Sequence, residues 1–158
     1  MSLQDIWRAL DDVVDPEIPV VSLVEMGIIR DVMEVGGRIV VKMTPTFAGC
    51  PALEVMESDI RARLEKMGID LVDVVRALDP PWTSDWISES ARRKIKQIGL
   101  APPQVHGGDF INVLDAPVTC PYCDSFNTTL KNSFGSTPCR MIYYCNNCSQ
   151  PFEQFRPL

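Results

Sequence analysis

The sequence has 158 residues, a formal net charge of -6, 46% hydrophobic and 23% charged residues, enough apolar material for one core and an appendage but not for two large cores. Residues 1–100 hold 12 Lys and Arg against 17 Asp and Glu, and residues 101–158 hold 3 against 4, so neither part offers the clustered positive charge of a nucleic-acid-binding surface, and no nucleic-acid partner is expected. The chain opens without a basic region followed by an apolar run and contains no bilayer-spanning apolar stretch of about 18 residues, which predicts no membrane partner and a cytoplasmic location.

Ser2 and Asp5 have the form of a capping box, and Leu3, Ile6, Leu10 and Val13 recur at helical spacing, so a helix is predicted over residues 3–13 that Asp15-Pro16-Glu17 stops. The β-branched stretches Ile28–Val35 and Arg38–Thr44 flank Gly36-Gly37 and predict an antiparallel hairpin. After the loop Pro45–Gly49, a stripe of Leu53, Met56, Ile60, Leu64 and Met67 runs to Gly68, with Pro51 suited to the first helical position and Cys50 therefore at the N-cap. Leu71–Leu78 reads as a third strand, apolar on both faces in its middle and so covered on both sides or central. Strand, helix, strand implies a right-handed parallel crossover. The expected fold class is α+β, a small two-layer domain with a three-stranded mixed sheet and helices.

Pro80-Pro81-Trp82-Thr83 ends the third strand, and Ser84 can cap a last helix carrying Asp85 and Glu89 early and Arg92, Arg93, Lys94 and Lys96 late, closed by Gly99. Pro102, Pro103, Pro117 and Gly107-Gly108 make residues 100–117 a linker. The expected organisation is an α+β domain over 1–99, a linker over 100–117 and a small metal-folded domain over 118–158.

Six cysteines in a reducing compartment point to metal or thiol chemistry. Cys120-Pro-Tyr-Cys123, then 21 residues, then Cys145-Asn-Asn-Cys148 form two CxxC knuckles able to place four thiolates around one tetrahedral ion, a zinc ribbon in preference to an iron or cluster site. A tail this short cannot bury enough surface alone, whereas a structural zinc site supplies on the order of 10 kcal/mol of folding free energy. Cys139 is left out of the ligand set. The tail's rings, Tyr122, Phe126, Phe134, Tyr143, Tyr144, Phe152 and Phe155, accompany only Lys131, Arg140 and Arg156 against Asp124 and Glu153, which favours packing and protein docking over a phosphate-tracking groove.

Cys50 stands apart, at a predicted helix start where the dipole would ease ionisation of its thiol. Asp15 and Glu17 flank a rigid proline. Such a turn is ordinarily a helix stop with solvated charge, but beside Cys50 it would become an oxygen-and-sulfur ligand set or a thiol-tuning site, with Thr44 and Thr46 as hydroxyl partners. His106 is the sole histidine and lies in the predicted linker, so no Cys-His nucleophilic pair and no catalytic residue is assigned.

Asp15-Pro16-Glu17-Ile18-Pro19-Val20, Gly27-Ile28-Ile29, Thr44 through Gly49-Cys50-Pro51, and Pro80-Pro81-Trp82-Thr83 resemble the MIP18-type domain of iron–sulfur assembly factors. With the tail segments Phe134-Gly135-Ser136-Thr137-Pro138-Cys139 and Cys145-Asn-Asn-Cys148-Ser-Gln-Pro151-Phe152, the chain is similar to the PaaD family, the D components of phenylacetyl-CoA epoxidase systems. That resemblance implies a non-enzymatic accessory protein of aerobic phenylacetate degradation, with structural zinc, a transient iron–sulfur cluster and the epoxidase components as partners. Chief among these partners is the reductase that carries flavin and an iron–sulfur cluster. Cys50 matches the family's motif cysteine and Asp15 and Glu17 its acidic motif. A cluster needs about four protein ligands, so one on Cys50 would be shared through a homodimer or with a partner. The alternative is a non-catalytic structural or adaptor subunit of the oxygenase complex, with Cys50 as packing.

Overall fold

Two paired glycines set the geometry of the first sheet. Gly36 and Gly37 have φ of 57° and 78°, the left-handed conformation that a two-residue hairpin turn requires at both central positions, and they join β1 (Ile29–Val35) to β2 (Arg38–Met43) in antiparallel register. The computed structural model describes all residues 1–158, in two compact units, Met1–Trp82 and Thr83–Leu158.

In the first unit the capping box is complete: Ser2 Oγ accepts from Asp5 N at 3.2 Å and Asp5 Oδ2 accepts from Ser2 N at 2.9 Å. The helix it starts, α1 (Leu3–Leu10), buries Ile6, Ala9 and Leu10 and ends before the Asp11-Asp12 pair, shorter than the apolar spacing suggested. Val13 is buried from the turn that follows. β2 is the central strand of the order β1-β2-β3 and runs parallel to β3 (Val72–Arg76). The crossover between them is α2 (Leu53–Glu65), which buries Leu53, Met56, Ile60 and Leu64. The expected three-stranded mixed sheet is therefore present. The expectation that the third strand is central or covered on both sides is not met: β3 is an edge strand, and Val75 stands exposed on it. Its run of valines records local composition, whereas strand order is fixed by pairing between distant residues.

The unit closes on Trp82, buried, whose Nε1 donates to Met26 O at 2.9 Å.

In the second unit, α3 (Glu89–Gln97) is capped by Ser88, whose hydroxyl accepts from Ala91 N, and not by Ser84. Ser84 belongs to a short 3-10 turn, Ser84–Trp86, capped by Thr83. Arg92 of α3 is buried and donates to Ser84 O, Ile87 O and Pro103 O, which ties the helix to the turn before it and the chain after it. The segment expected as a linker contains β4 (Leu100–Ala101) and α4 (Phe110–Asp115). β4 pairs parallel with β7 (Pro151–Phe155), in a sheet of order β4-β7-β6-β5 with β6 (Arg140–Cys145) and β5 (Thr128–Asn132). The units thus divide after Trp82 and not after Gly99, because α3 leads directly into a strand of the second sheet. No helix is long and apolar enough to cross a membrane.

Trp82→Phe keeps the buried ring but orphans the Met26 carbonyl; it is expected to destabilise the chain by about 1–2 kcal/mol, read as a lower urea midpoint in equilibrium unfolding.

Candidate functional site

β2 ends at Met43 and delivers a loop whose base is fixed. Thr44, buried, donates its N–H to Ile28 O at 2.8 Å. The loop turns back at Cys50, whose N–H donates to Phe47 O at 3.2 Å while its carbonyl accepts from Leu53 N at 3.2 Å. α2 begins at Leu53 with Ala52 as its N-cap and no side-chain cap. Cys50 therefore precedes the helix by a turn and is not the N-cap, since Pro51 and Ala52 form that turn.

The position changes the chemistry of the thiol. Burial raises the Cys50 pKa first. The Ala52 backbone N–H bonded to the sulfur opposes it, the Glu17 and Asp15 carboxylates raise it further, and the Thr46 hydroxyl lowers it slightly. The net direction is upward from the ordinary thiol value, against the expectation of easier ionisation, because desolvation and two negative neighbours outweigh a single oriented amide.

The acidic turn does lie beside the cysteine. Asp15 is buried, and its Oδ1 accepts from Glu17 N at 2.8 Å and Ile18 N at 3.0 Å, so the carboxylate organises the turn that carries Glu17. Backbone bonds from Asp15 N to Val21 O at 2.9 Å and from Leu23 N to Val13 O at 2.8 Å close the loop. Asp15, Glu17 and Thr46 are thereby brought to Cys50; Thr44 acts at the base of the loop and not at the sulfur. The Ala52 amide is the contributor that residue types could not announce, being backbone.

The tail brings Cys120, Cys123, Cys145 and Cys148 together, with all four sulfurs within 4.8 Å of one another. Cys120 Sγ lies 3.7 Å from Cys148 Sγ, and Cys123 Sγ 3.6 Å from Cys145 Sγ. A tetrahedron with Zn–S bonds of about 2.3 Å has edges of about 3.8 Å, so the donor set fits a tetrahedral thiolate-bound metal. The two knuckles repeat one backbone pattern. Asp124 N donates to Cys120 O at 3.0 Å and Ser149 N to Cys145 O at 2.9 Å, while Cys120 N donates to Ser125 O and Cys145 N to Gln150 O, each at 2.9 Å. Asp124 and Ser149, which follow the second cysteine of each knuckle, both adopt positive φ, 62° and 60°. Asn147 Nδ2 donates to Cys123 Sγ at 3.5 Å and, with the Ser125 backbone N–H, lowers that thiol's pKa to about 6, whereas desolvation, followed by the other sulfurs, pushes Cys148 up to about 12. Asn147 is a contributor that the Cys-Asn-Asn-Cys spacing contained but did not single out.

Cys139 is buried outside this group, its sulfur 2.9 Å from Thr137 Oγ1. His106 Nδ1 accepts from Gly108 N at 2.9 Å, which leaves Nε2 to carry the proton toward Leu158 O at 2.8 Å.

Two outcomes follow from the geometry. Asp15→Asn keeps the Oδ1 acceptor and removes the charge, so the pH midpoint of Cys50 alkylation, followed by mass spectrometry of its peptide, should fall; Glu17→Gln should do the same. Cys145→Ser should abolish binding of about one metal ion per chain and collapse the NMR dispersion of residues 118–158, with the signals of residues 3–77 retained.

Residues 3–77 match the family model of the iron-sulfur cluster assembly protein, and residues 109–156 that of the PaaD zinc beta ribbon domain. An Escherichia coli K12 protein provisionally named as the D component of 1,2-phenylacetyl-CoA epoxidase is 40% identical over 98% of this chain and 92% of its own length. An Fe-S protein maturation auxiliary factor of Porphyromonas gingivalis is 38% identical over 56% of this chain and 85% of its own. Among solved structures, a domain of unknown function DUF59 from Bacillus anthracis aligns with a TM-score of 0.52 at 28% identity, covering 56% of this chain and 85% of that one. A conserved hypothetical protein from Thermotoga maritima aligns with a TM-score of 0.51 at 30% identity, covering 60% and 94%. With a matching relative along nearly its whole length and both of its parts matched in order, the chain belongs to the PaaD family, an iron–sulfur cluster assembly domain followed by a zinc ribbon.

Proposed function

We propose that this chain is a non-catalytic accessory protein of a phenylacetyl-CoA epoxidase system in the bacterial cytoplasm, which takes up iron or an iron–sulfur cluster at Cys50 and passes it to the system's iron–sulfur flavin reductase. The observation that carries the reading is the convergence of one thiol, Cys50, with the carboxylates of Asp15 and Glu17 inside a domain of the iron–sulfur assembly family. A single protein sulfur is too few ligands to hold a cluster alone. The cargo is therefore shared with a client or a second chain, and a shared cargo can leave. Asp15 and Glu17 supply negative charge toward a cationic cargo, and Thr46 contributes a hydroxyl beside the sulfur.

Cys120, Cys123, Cys145 and Cys148 are assigned to structural zinc. The ribbon they fold is assigned to client docking through rings it leaves in solvent: Tyr122, Phe126 and Phe134 are all exposed. Those rings also favour the second reading, in which the chain is an adaptor subunit of the oxygenase complex.

Co-expression of the whole epoxidase system with wild-type or Cys50→Ala chain separates the two. Cluster transfer predicts that reductase purified beside the variant loses most of its iron and acid-labile sulfide while the variant still co-purifies with the complex. Full cluster content beside Cys50→Ala, with assembly lost in Phe126→Ser/Phe134→Ser, would establish the adaptor and reject transfer.

A further inference from the structure

The two knuckles of the ribbon are alike in backbone and unlike at one side chain. Cys120 and Cys145, the first cysteine of each, are buried, and Cys123 and Cys148, the second of each, are half-buried, so the sulfur cluster has a closed side and a side that faces solvent. The residue before the outer cysteine holds the same place in both turns, and it is Tyr122 in one and Asn147 in the other. Tyr122 carries no amide and sets its hydroxyl over Gly99, where an added Cβ would meet it. Asn147 reaches across to the opposite knuckle, its Nδ2 donating to Cys123 Sγ at 3.5 Å.

A neighbour fixes that reach. Asn146 N donates to Asn127 O at 2.9 Å, and Asn146 Nδ2 donates to Asn127 Oδ1 at 3.1 Å and to Thr129 Oγ1 at 2.9 Å, which clamps the tip of the second knuckle to the start of β5. The two outer sulfurs are therefore not equivalent. Each accepts a backbone N–H, from Ser125 at Cys123 and from Gln150 at Cys148, and Cys123 accepts the side-chain amide as well. A donor aimed at a thiolate occupies electron density that would otherwise attack an electrophile, and contacts of this kind hold a ligand atom on its metal. We infer that Asn147 is a positioning residue of the metal site, whose amide guards the Cys123 thiolate and leaves Cys148 as the site of modification by soft electrophiles. At Cys148 the sulfur displaces the electrophile's leaving group and forms a C–S bond. The resulting thioether is a poor ligand for zinc, so modification there opens the site. The inference rests on the assignment of structural zinc to the ribbon and not on cluster transfer at Cys50.

Substoichiometric iodoacetamide, applied to the full chain loaded with about one zinc ion, tests it. Remaining thiols are trapped in denaturant, and the first alkylation within the ribbon is located by peptide fragmentation in the mass spectrometer. Cys148 should be alkylated about fivefold faster than Cys123, the scale of one hydrogen bond. Asn147→Ala should raise the Cys123 rate by about that factor and leave the Cys148 rate unchanged, whereas loss of a merely structural side chain would move both. Asn147→Asp, of the same shape but without the donor, should act in the same direction. Both variants alter an exposed side chain and should lose zinc to a chelator about tenfold faster than wild type. The wild-type preference needs no variant and decides the matter alone if the variants fold poorly. Equal labelling of Cys123 and Cys148 in the zinc-loaded wild type, or variants that accelerate both alike, overturns the inference and leaves the zinc assignment intact; a folded ribbon that binds no zinc overturns both.

Discussion

β2 is the strand on which the first unit depends. A central strand must satisfy both of its backbone edges and bury its apolar side chains, and β2 does so through Ile39, Val41 and Met43, all buried, with β1 on one side and β3 on the other. Its last bonds fix the start of the loop that carries Cys50: Ala77 N donates to Met43 O, and Thr44 N to Ile28 O. From Ile28 the constraint passes backward. Ile28 and Ile29 both donate to Leu23 O, Leu23 donates to Val13 O, and Val13 precedes the turn that holds Asp15. Trp82 pins the same stretch by donating to Met26 O. A thiol and two carboxylates more than thirty positions apart in sequence come within electrostatic range because one ladder of backbone hydrogen bonds links both loops to the same strand.

The second unit depends on its sulfurs in a comparable way. Its core cluster consists of Ala101, Val118, Met141, Tyr143 and Phe152 together with Cys120 and Cys145, both fully buried, and Cys123 and Cys148 pack against it. Ligand sulfurs that are also core residues make the metal site and the hydrophobic core one object, so thiolate repulsion without a metal would fall on the packing itself. The knuckle extends this to its neighbours. A Cβ at Gly99, where φ is +82°, would come 2.5 Å from Tyr122 Oη, so the ring between two ligand cysteines requires glycine where α3 ends.

Features encoded by short-range chemistry were legible. The Gly36-Gly37 turn, the Ser2 capping box and the two CxxC knuckles each act within a few residues, and each is found where the residue pattern put it. Features decided by distant partners were not. Leu100–Ala101 looked like linker because what makes it a strand is β7, some fifty residues on. β3 looked central because three valines carry no information about what lies beside them. Ser84 and Ser88 are both plausible caps, and the choice between them is tied to Arg92 reaching back to Ser84 O and Ile87 O. At Cys50 the residue type and the nearby acidic motif were legible, but the direction of the thiol's pKa was not, because burial and the charges of Asp15 and Glu17 arrive from the fold.

That reversed direction suits the proposed cargo better than the expected one would have. A thiol ionised at rest by a helix terminus would be a standing nucleophile, open to oxidation and to adventitious soft metals. At Cys50 burial and the carboxylates of Glu17 and Asp15 instead raise the thiol's pKa. A cation inverts this logic, since its field favours thiolate and carboxylate together and a coordinating thiol gives up its proton. The carboxylates that raise the thiol's pKa would then stabilise a bound cation, and proton release would accompany its uptake. Return of that proton would favour release, so under the proposed function the site would resist chance reaction and hold its cargo reversibly.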